Sequence, residues 1–150
     1  MQTNLSLTAN FVPNPFPAVR GVYSGLMANA HGVLPDNSGY FSVALTSLGR
    51  FSGHLLCGGK RFGFSGRFDL SGAATLNVRR ANAGPLTVTL HTDLAHTTDQ
   101  VTGSVTDGYW SSDLTADRNV FNGLLNPAQQ AGLRSFVLEK TPDKDRKSVV

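Results

Sequence analysis

The feature that most constrains this chain is a two-residue alternation of apolar and polar side chains, repeated in short runs between glycine-rich turns. A period of two belongs to a strand with one face buried and one face wet. Eight such runs cover residues 19–27, 40–48, 50–57, 61–69, 73–79, 86–94, 100–106 and 109–117. The fourth is the clearest, with Phe62, Phe64, Gly66 and Phe68 on one face. In the second, Phe41, Val43 and Leu45 alternate with Tyr40, Ser42, Ala44 and Thr46. Gly58-Gly59 and Asp107-Gly108 separate neighbouring runs and supply the positive φ that tight hairpins require. Successive hairpins, each with one apolar face, predict antiparallel neighbours in chain order. Phe51-Ser52-Gly53, Phe64-Ser65-Gly66 and Val101-Thr102-Gly103 repeat one pattern and put a glycine on the inward face. Such glycines let strands coil enough to close a small barrel, and closure removes exposed edges. The expected fold is all-β: an up-and-down antiparallel meander of about eight strands, barrel-like, with a β-sandwich as the alternative.

Three segments follow from the same pass. Residues 1–18 begin strand-like (Leu5, Leu7, Ala9, Phe11) and then alternate Pro13, Pro15 and Pro17, which reads as an extended, proline-rich connector. Residues 19–138 form the barrel-like domain. Within it, Asn126–Gly132 is one helical turn or a loop, and Leu133–Leu138 is a last strand that pairs with the first. Residues 139–150 are polar and charged and read as a disordered tail.

Composition bounds the function classes. Hydrophobic residues make up 40% of the 150 and charged residues 15%, which suits a packed core. No apolar stretch approaches the ~20 residues of a membrane-spanning helix, so no membrane insertion is expected. Met1-Gln2-Thr3-Asn4 lacks the basic and apolar regions of a signal peptide, so none is expected in this chain. The net charge is +3, but the basic residues are scattered, and the densest group, Lys140–Lys147, is interleaved with acids. That distribution argues against a nucleic-acid partner. Cys57 is the sole cysteine, so no intrachain disulfide forms, and its apolar neighbours Leu55 and Leu56 suggest a buried thiol with no base nearby.

Two constellations qualify as candidate sites. His91 and Asp93 share the polar face of one strand, with His96 just beyond it and His54 on another polar face. Three or four such ligands suit zinc or another divalent metal if they converge. Exposed surface histidines are the competing reading, and the direction of the polar face decides between them. His31 stands apart in a turn-rich stretch. Asp113 and Asp117 share a face beside Arg118, without the convergence that acid–base work needs. Tyr109 and Trp110, at a hairpin, offer a stacking platform for a sugar or another ring; alternation sends them opposite ways, so one belongs to the core.

Val22-Tyr23-Ser24-Gly25-Leu26, Ser38-Gly39-Tyr40-Phe41, Gly49-Arg50-Phe51-Ser52-Gly53, Gly58-Gly59-Lys60, Phe64-Ser65-Gly66-Arg67-Phe68, Val101-Thr102-Gly103 and Ala116-Asp117-Arg118 together resemble a β-rich repeat domain of large bacterial surface or secreted proteins. The resemblance covers roughly residues 19–138. Leu7-Thr8-Ala9-Asn10-Phe11 resembles the closing strand of a divergent internalin-type B repeat, which often precedes such domains. The resemblance implies an extracellular or cell-surface setting for a longer parent protein, and it carries no catalytic motif. Such domains commonly continue into a second β-rich half, whereas here the sequence runs into Lys144-Asp145-Arg146-Lys147. An unpaired half would leave edges for a homodimer to cover.

These readings converge on a non-enzymatic module of a surface or secreted protein, a spacer or a binder of a glycan or small ligand, with no cofactor. The alternative is a small metal-dependent hydrolase of esters or phosphoesters, using His91, Asp93, His96 and His54. Inward Phe41, Phe51, Phe62, Phe64 and Phe68 argue against a large internal cavity.

Overall fold

The structure is a computed structural model and describes residues 8–122 and 124–128. The chain divides into two compact units after Asn119. In the first unit, eight strands follow one four-residue helix, α1 (Phe16–Val19). They are β1 (Gly21–Ala28), β2 (Gly39–Leu45), β3 (Arg50–Cys57), β4 (Lys60–Arg67), β5 (Ala73–Arg80), β6 (Ala83–Thr92), β7 (Gln100–Thr106) and β8 (Ser111–Arg118). All pair antiparallel in one nearly closed, barrel-shaped sheet of order β4-β3-β2-β1-β8-β7-β6-β5. The meander expectation holds, with one refinement. The first and last strands form a full ladder (Tyr23 opposite Arg118, Ala28 opposite Asp113). The interruption falls instead between β4 and β5, which are consecutive in the chain.

The inward faces are those that alternation selects. Phe41, Val43, Val101, Val105 and Ala116 are wholly buried, and Tyr23, Met27, Leu55, Val88 and Leu114 nearly so. Aromatic rings fill the interior on the β3–β4 side: Phe41 stacks on Phe64 at 5.4 Å between centroids, and Phe51 lies 4.7 Å from Phe68. Beside the interruption, inward Phe62, Phe64 and Leu76 are only half-buried. Gly25 illustrates how tightly the strands coil. A Cβ built there would run into the carbonyl of Thr115 on β8, so only glycine admits the neighbouring backbone.

Turn chemistry explains the strand ends. Gly58 and Gly59 have φ of +56° and +68°, the pair of left-handed residues of a two-residue hairpin. The β5–β6 connection is shorter than the sequence suggests. Arg80 pairs with Ala83 around a two-residue turn, Ala81-Asn82, with Asn82 at φ +61°. Gly84 and Pro85 then fall where the β5–β6 register shifts, at a bulge, where a residue without an N–H costs no ladder bond. Tyr109 and Trp110 lie in the β7–β8 turn, one step before the strand expected to contain them.

The proline-rich connector is not extended throughout. Residues 8–15 have no regular structure, but Phe16–Val19 make one helical turn that seals an end of the barrel. Proline suits the start of a turn, where its missing N–H would have no helical partner. The Asn14 carboxamide accepts the Phe16 N–H and donates to the Ser47 carbonyl, tying the turn to the β2–β3 connection. Phe16 and Val19 are buried. A Cβ on Gly49 (φ +75°) would strike the Phe16 ring. The carbonyls around α1 find side-chain donors: the Arg118 guanidinium donates to Ala18 and Arg20 at the surface, and the buried Tyr23 hydroxyl donates to Val19 at 2.5 Å.

In the second unit, Asn122 and Asn126 form an isolated bridge, and the Asn122 side-chain oxygen accepts the N–H groups of Leu124 and Asn126. The expected last strand Leu133–Leu138 and the tail 139–150 lie outside the described residues, as do Leu5 and Leu7. No described helix is long and apolar enough to cross a membrane.

Truncating the seal, Phe16→Ala, is expected to cost about 3–5 kcal/mol, read as a lower urea midpoint at unchanged m-value. Gly25→Ala should cost roughly 1–3 kcal/mol by overpacking against β8. An unchanged midpoint for Phe16→Ala would show that the helical turn does not seal the barrel.

Candidate ligand-binding pocket at the open end of the barrel

In an up-and-down meander, alternate turns meet at the same end. The β1–β2, β3–β4, β5–β6 and β7–β8 connections therefore gather opposite the end sealed by α1. Between them lies a pocket of about 720 Å³ lined by residues of all four, within the ~300–1,000 Å³ range of small-molecule sites. Phe62 and Trp110 supply its apolar wall, and both pack on the core. Cys57, which is buried, also lines it. Lys60 and Arg61 enter from β4, and Arg79 and Arg80 from β5. Asp36 and Asp107 are the carboxylates in the lining.

The two carboxylates and Arg80 each have a definite support. Asp107 begins the β7–β8 turn, where one carboxylate oxygen accepts the N–H groups of Tyr109 and Trp110 and the other pairs with Arg80 at 3.3 Å. Partial burial raises its pKa, but these donors and Arg80 outweigh that and hold the carboxyl below its usual range. Arg80 also donates to the Gly84 carbonyl at 2.6 Å, which fixes its guanidinium across the bulge. Asp36 sits over the β3–β4 turn, where Gly58 donates its N–H to the Pro35 carbonyl. Buried Asn37 holds this loop, donating to Gly32, accepting from Leu34, and lending its carbonyl to the Ser112 hydroxyl. Lys60, Arg61 and Arg79 have no carboxylate partner among the described residues.

The Cys57 thiol is not set up as a nucleophile. Burial pushes its pKa up; Arg80 lowers it and Asp36 raises it again, leaving a net rise. No histidine appears among the lining residues.

The residues singled out from the sequence are distributed differently. Trp110 is in the pocket wall, whereas Tyr109 is 97% exposed. His54 and His91 lie on the outer faces of β3 and β6, on opposite sides of the interruption, with β4 and β5 between them. The His54 ring lies 5.9 Å from Tyr40. The Asp93 carboxylate turns into its own loop and accepts the N–H groups of Ala95, Thr97 and Thr98 and the hydroxyls of Thr97 and Thr98. His96 pairs with Asp99 at 2.6 Å, and Asp99 also meets Arg118. Among the described residues no group of three or more His, Cys, Asp or Glu is placed to hold a metal ion. The metal reading of His54, His91, Asp93 and His96 required convergence, and these residues do not converge: as the surface-histidine reading has it, a polar face on a barrel-shaped sheet points outward and diverges. Of the basic residues that are scattered in the sequence, Lys60, Arg61, Arg79 and Arg80 line this pocket together with Phe62 and Trp110.

No family model, no curated protein and no solved structure matches this chain.

Asp69, Asp93 and Asp107 each organise a turn and each has a lowered pKa. For Asp69 the Ser71 hydroxyl is the main cause, and for Asp93 the Thr97 hydroxyl. Their ionised forms stabilise the fold, so that contribution is complete above the ordinary aspartate pKa near ~4 and fades as pH falls below it. Tm is expected to be flat from neutral pH down to about 5 and to drop steeply on further acidification. Asp93→Ala should lower Tm at neutral pH and flatten the acid limb; a limb of unchanged slope would remove Asp93 from this account.

Proposed function

We propose that this domain is a non-enzymatic binding module of a bacterial surface or secreted protein, and that its ligand is a small organic molecule seated in the open end of the barrel. The observation that carries the reading is the pocket itself, in which an apolar wall of Phe62 and Trp110 faces a rim of cationic side chains. Such a mixed lining suits a ligand with a flat or apolar part and a polar part, since each half then meets its own kind of surface. A sugar-derived ring stacked on Trp110 belongs to this class. Three features favour binding over turnover. The thiol is buried with a raised pKa, histidine is missing from the lining, and the aromatic interior blocks deeper entry. The surface setting rests on the resemblance of residues 19–138 to repeat domains of such proteins.

Trp110 is the only tryptophan of the chain and lies in the wall, so its emission reports on this pocket alone. Titration with the anionic dye 8-anilinonaphthalene-1-sulfonate and the neutral dye N-phenyl-1-naphthylamine should give saturable energy transfer from Trp110 and a higher Tm for the dye that binds. Absence of saturation with both dyes, up to their solubility limits, would overturn the binding reading and leave the domain a spacer.

A further inference from the structure

The one missing ladder of the barrel and the cation cluster coincide. β4 and β5 are joined by the turn Phe68–Gly72, and their hairpin begins normally: the Asp69 N–H donates to the Ala73 carbonyl at 2.9 Å. Continuing that register, one residue back for each residue forward, would set Gly63 opposite Arg79 and Phe62 opposite Arg80, with Arg61 and Lys60 next. No ladder forms there. The strands carry Lys60, Arg61, Arg67, Arg79 and Arg80 and no acid; this register sets no two cations directly opposite, but it brings Arg61 and Arg79 into diagonal reach, with Lys60 and Arg80 beside them, at the pocket. Among the described residues, only Arg80 of the pocket cations has a carboxylate partner.

We infer that the ligand of this pocket carries at least two negative charges on oxygen and bridges β4 to β5, replacing the missing backbone ladder with cross-seam contacts from Lys60 and Arg61 on one side and Arg79 on the other. This deepens the proposed function and rests on the pocket being the binding site. A phosphate ester or diphosphate and a polycarboxylate share the required chemistry. Guanidinium groups take either in forked, charge-assisted hydrogen bonds. Bridging neutralises the repulsion that holds the strands apart, so binding and closure of the barrel are one event.

The test uses the intact chain, inorganic pyrophosphate, citrate and neutral erythritol, with calorimetric titration and amide hydrogen exchange over Lys60–Arg67 and Ala73–Arg80. Pyrophosphate, citrate or both are expected to bind saturably and to slow exchange along both strands, while erythritol does neither. Pyrophosphate alone identifies a phosphate-bearing ligand, and citrate alone a polycarboxylate. The double variant Arg61→Gln/Arg79→Gln, at exposed positions that leave the core untouched, should weaken anion binding roughly tenfold or more. Without ligand it should already exchange more slowly than the parent along β4 and β5, because the repulsion is gone. Anion binding without slower exchange overturns the bridge, as does a ligand-free variant that exchanges as fast as the parent. Failure of both anions while an aromatic dye still saturates Trp110 overturns this inference and leaves the pocket standing. Failure of anions and dyes together removes both.

Discussion

The ladder between β1 and β8 is the interaction on which the rest of the molecule depends. A chain of eight antiparallel strands has two free edges, and pairing the first strand with the last hides both. The edges that remain are then β4 and β5, midway along the chain, and not the strands at its ends. Gly25 makes that ladder feasible, since the backbones of β1 and β8 approach too closely for a side chain. Arg118, at the end of the same ladder, then holds the carbonyls around α1, so closure of the sheet and sealing of one end are built from one strand pair.

Sealing one end and filling the middle leave the other end as the place for a ligand. The Phe41, Phe64, Phe51 and Phe68 rings occupy the space that larger barrels leave hollow. A pocket in such a barrel is shallow and lined by turns, and turns are where charged residues are tolerated. That explains why an apolar core and a cationic rim meet at the same place.

The strands were legible in the sequence because a two-residue period and the Gly58-Gly59 and Asp107-Gly108 turns are local signals. The helical turn at Phe16–Val19 was not, because its prolines suit an extended connector equally well. What decides the matter is burial of Phe16 against Gly49, thirty-three residues away in the chain. Trp110 was visible as a candidate from its place at a hairpin. The cations around it were not, although a signal existed. Lys60-Arg61 follows the third turn of the meander and Arg79-Arg80 precedes the fifth, and odd-numbered turns of a meander share an end. The histidines stayed undecided in the sequence for the complementary reason: alternation fixes which face a residue takes, but not its position around the barrel, and His54 and His91 share a face without sharing a neighbourhood.

The magnitudes indicate how delicately the seam is held. A backbone hydrogen bond contributes about 1 kcal/mol net, and like charges set opposite each other across strands cost about 0.2–1 kcal/mol per pair. In the register set by the Asp69 turn, Lys60, Arg61, Arg79 and Arg80 meet on the diagonal and not directly opposite, so their repulsion acts through crowding at one end of the seam. Half-burial of Phe62, Phe64 and Leu76 adds an apolar incentive to close, which the charges oppose. The seam is open at the cationic end and hydrogen-bonded at the Asp69 turn. Its state responds to any change in charge at that end. A core contact elsewhere in the barrel has no comparable sensitivity, because each of the other seven neighbouring pairs is already locked by a ladder.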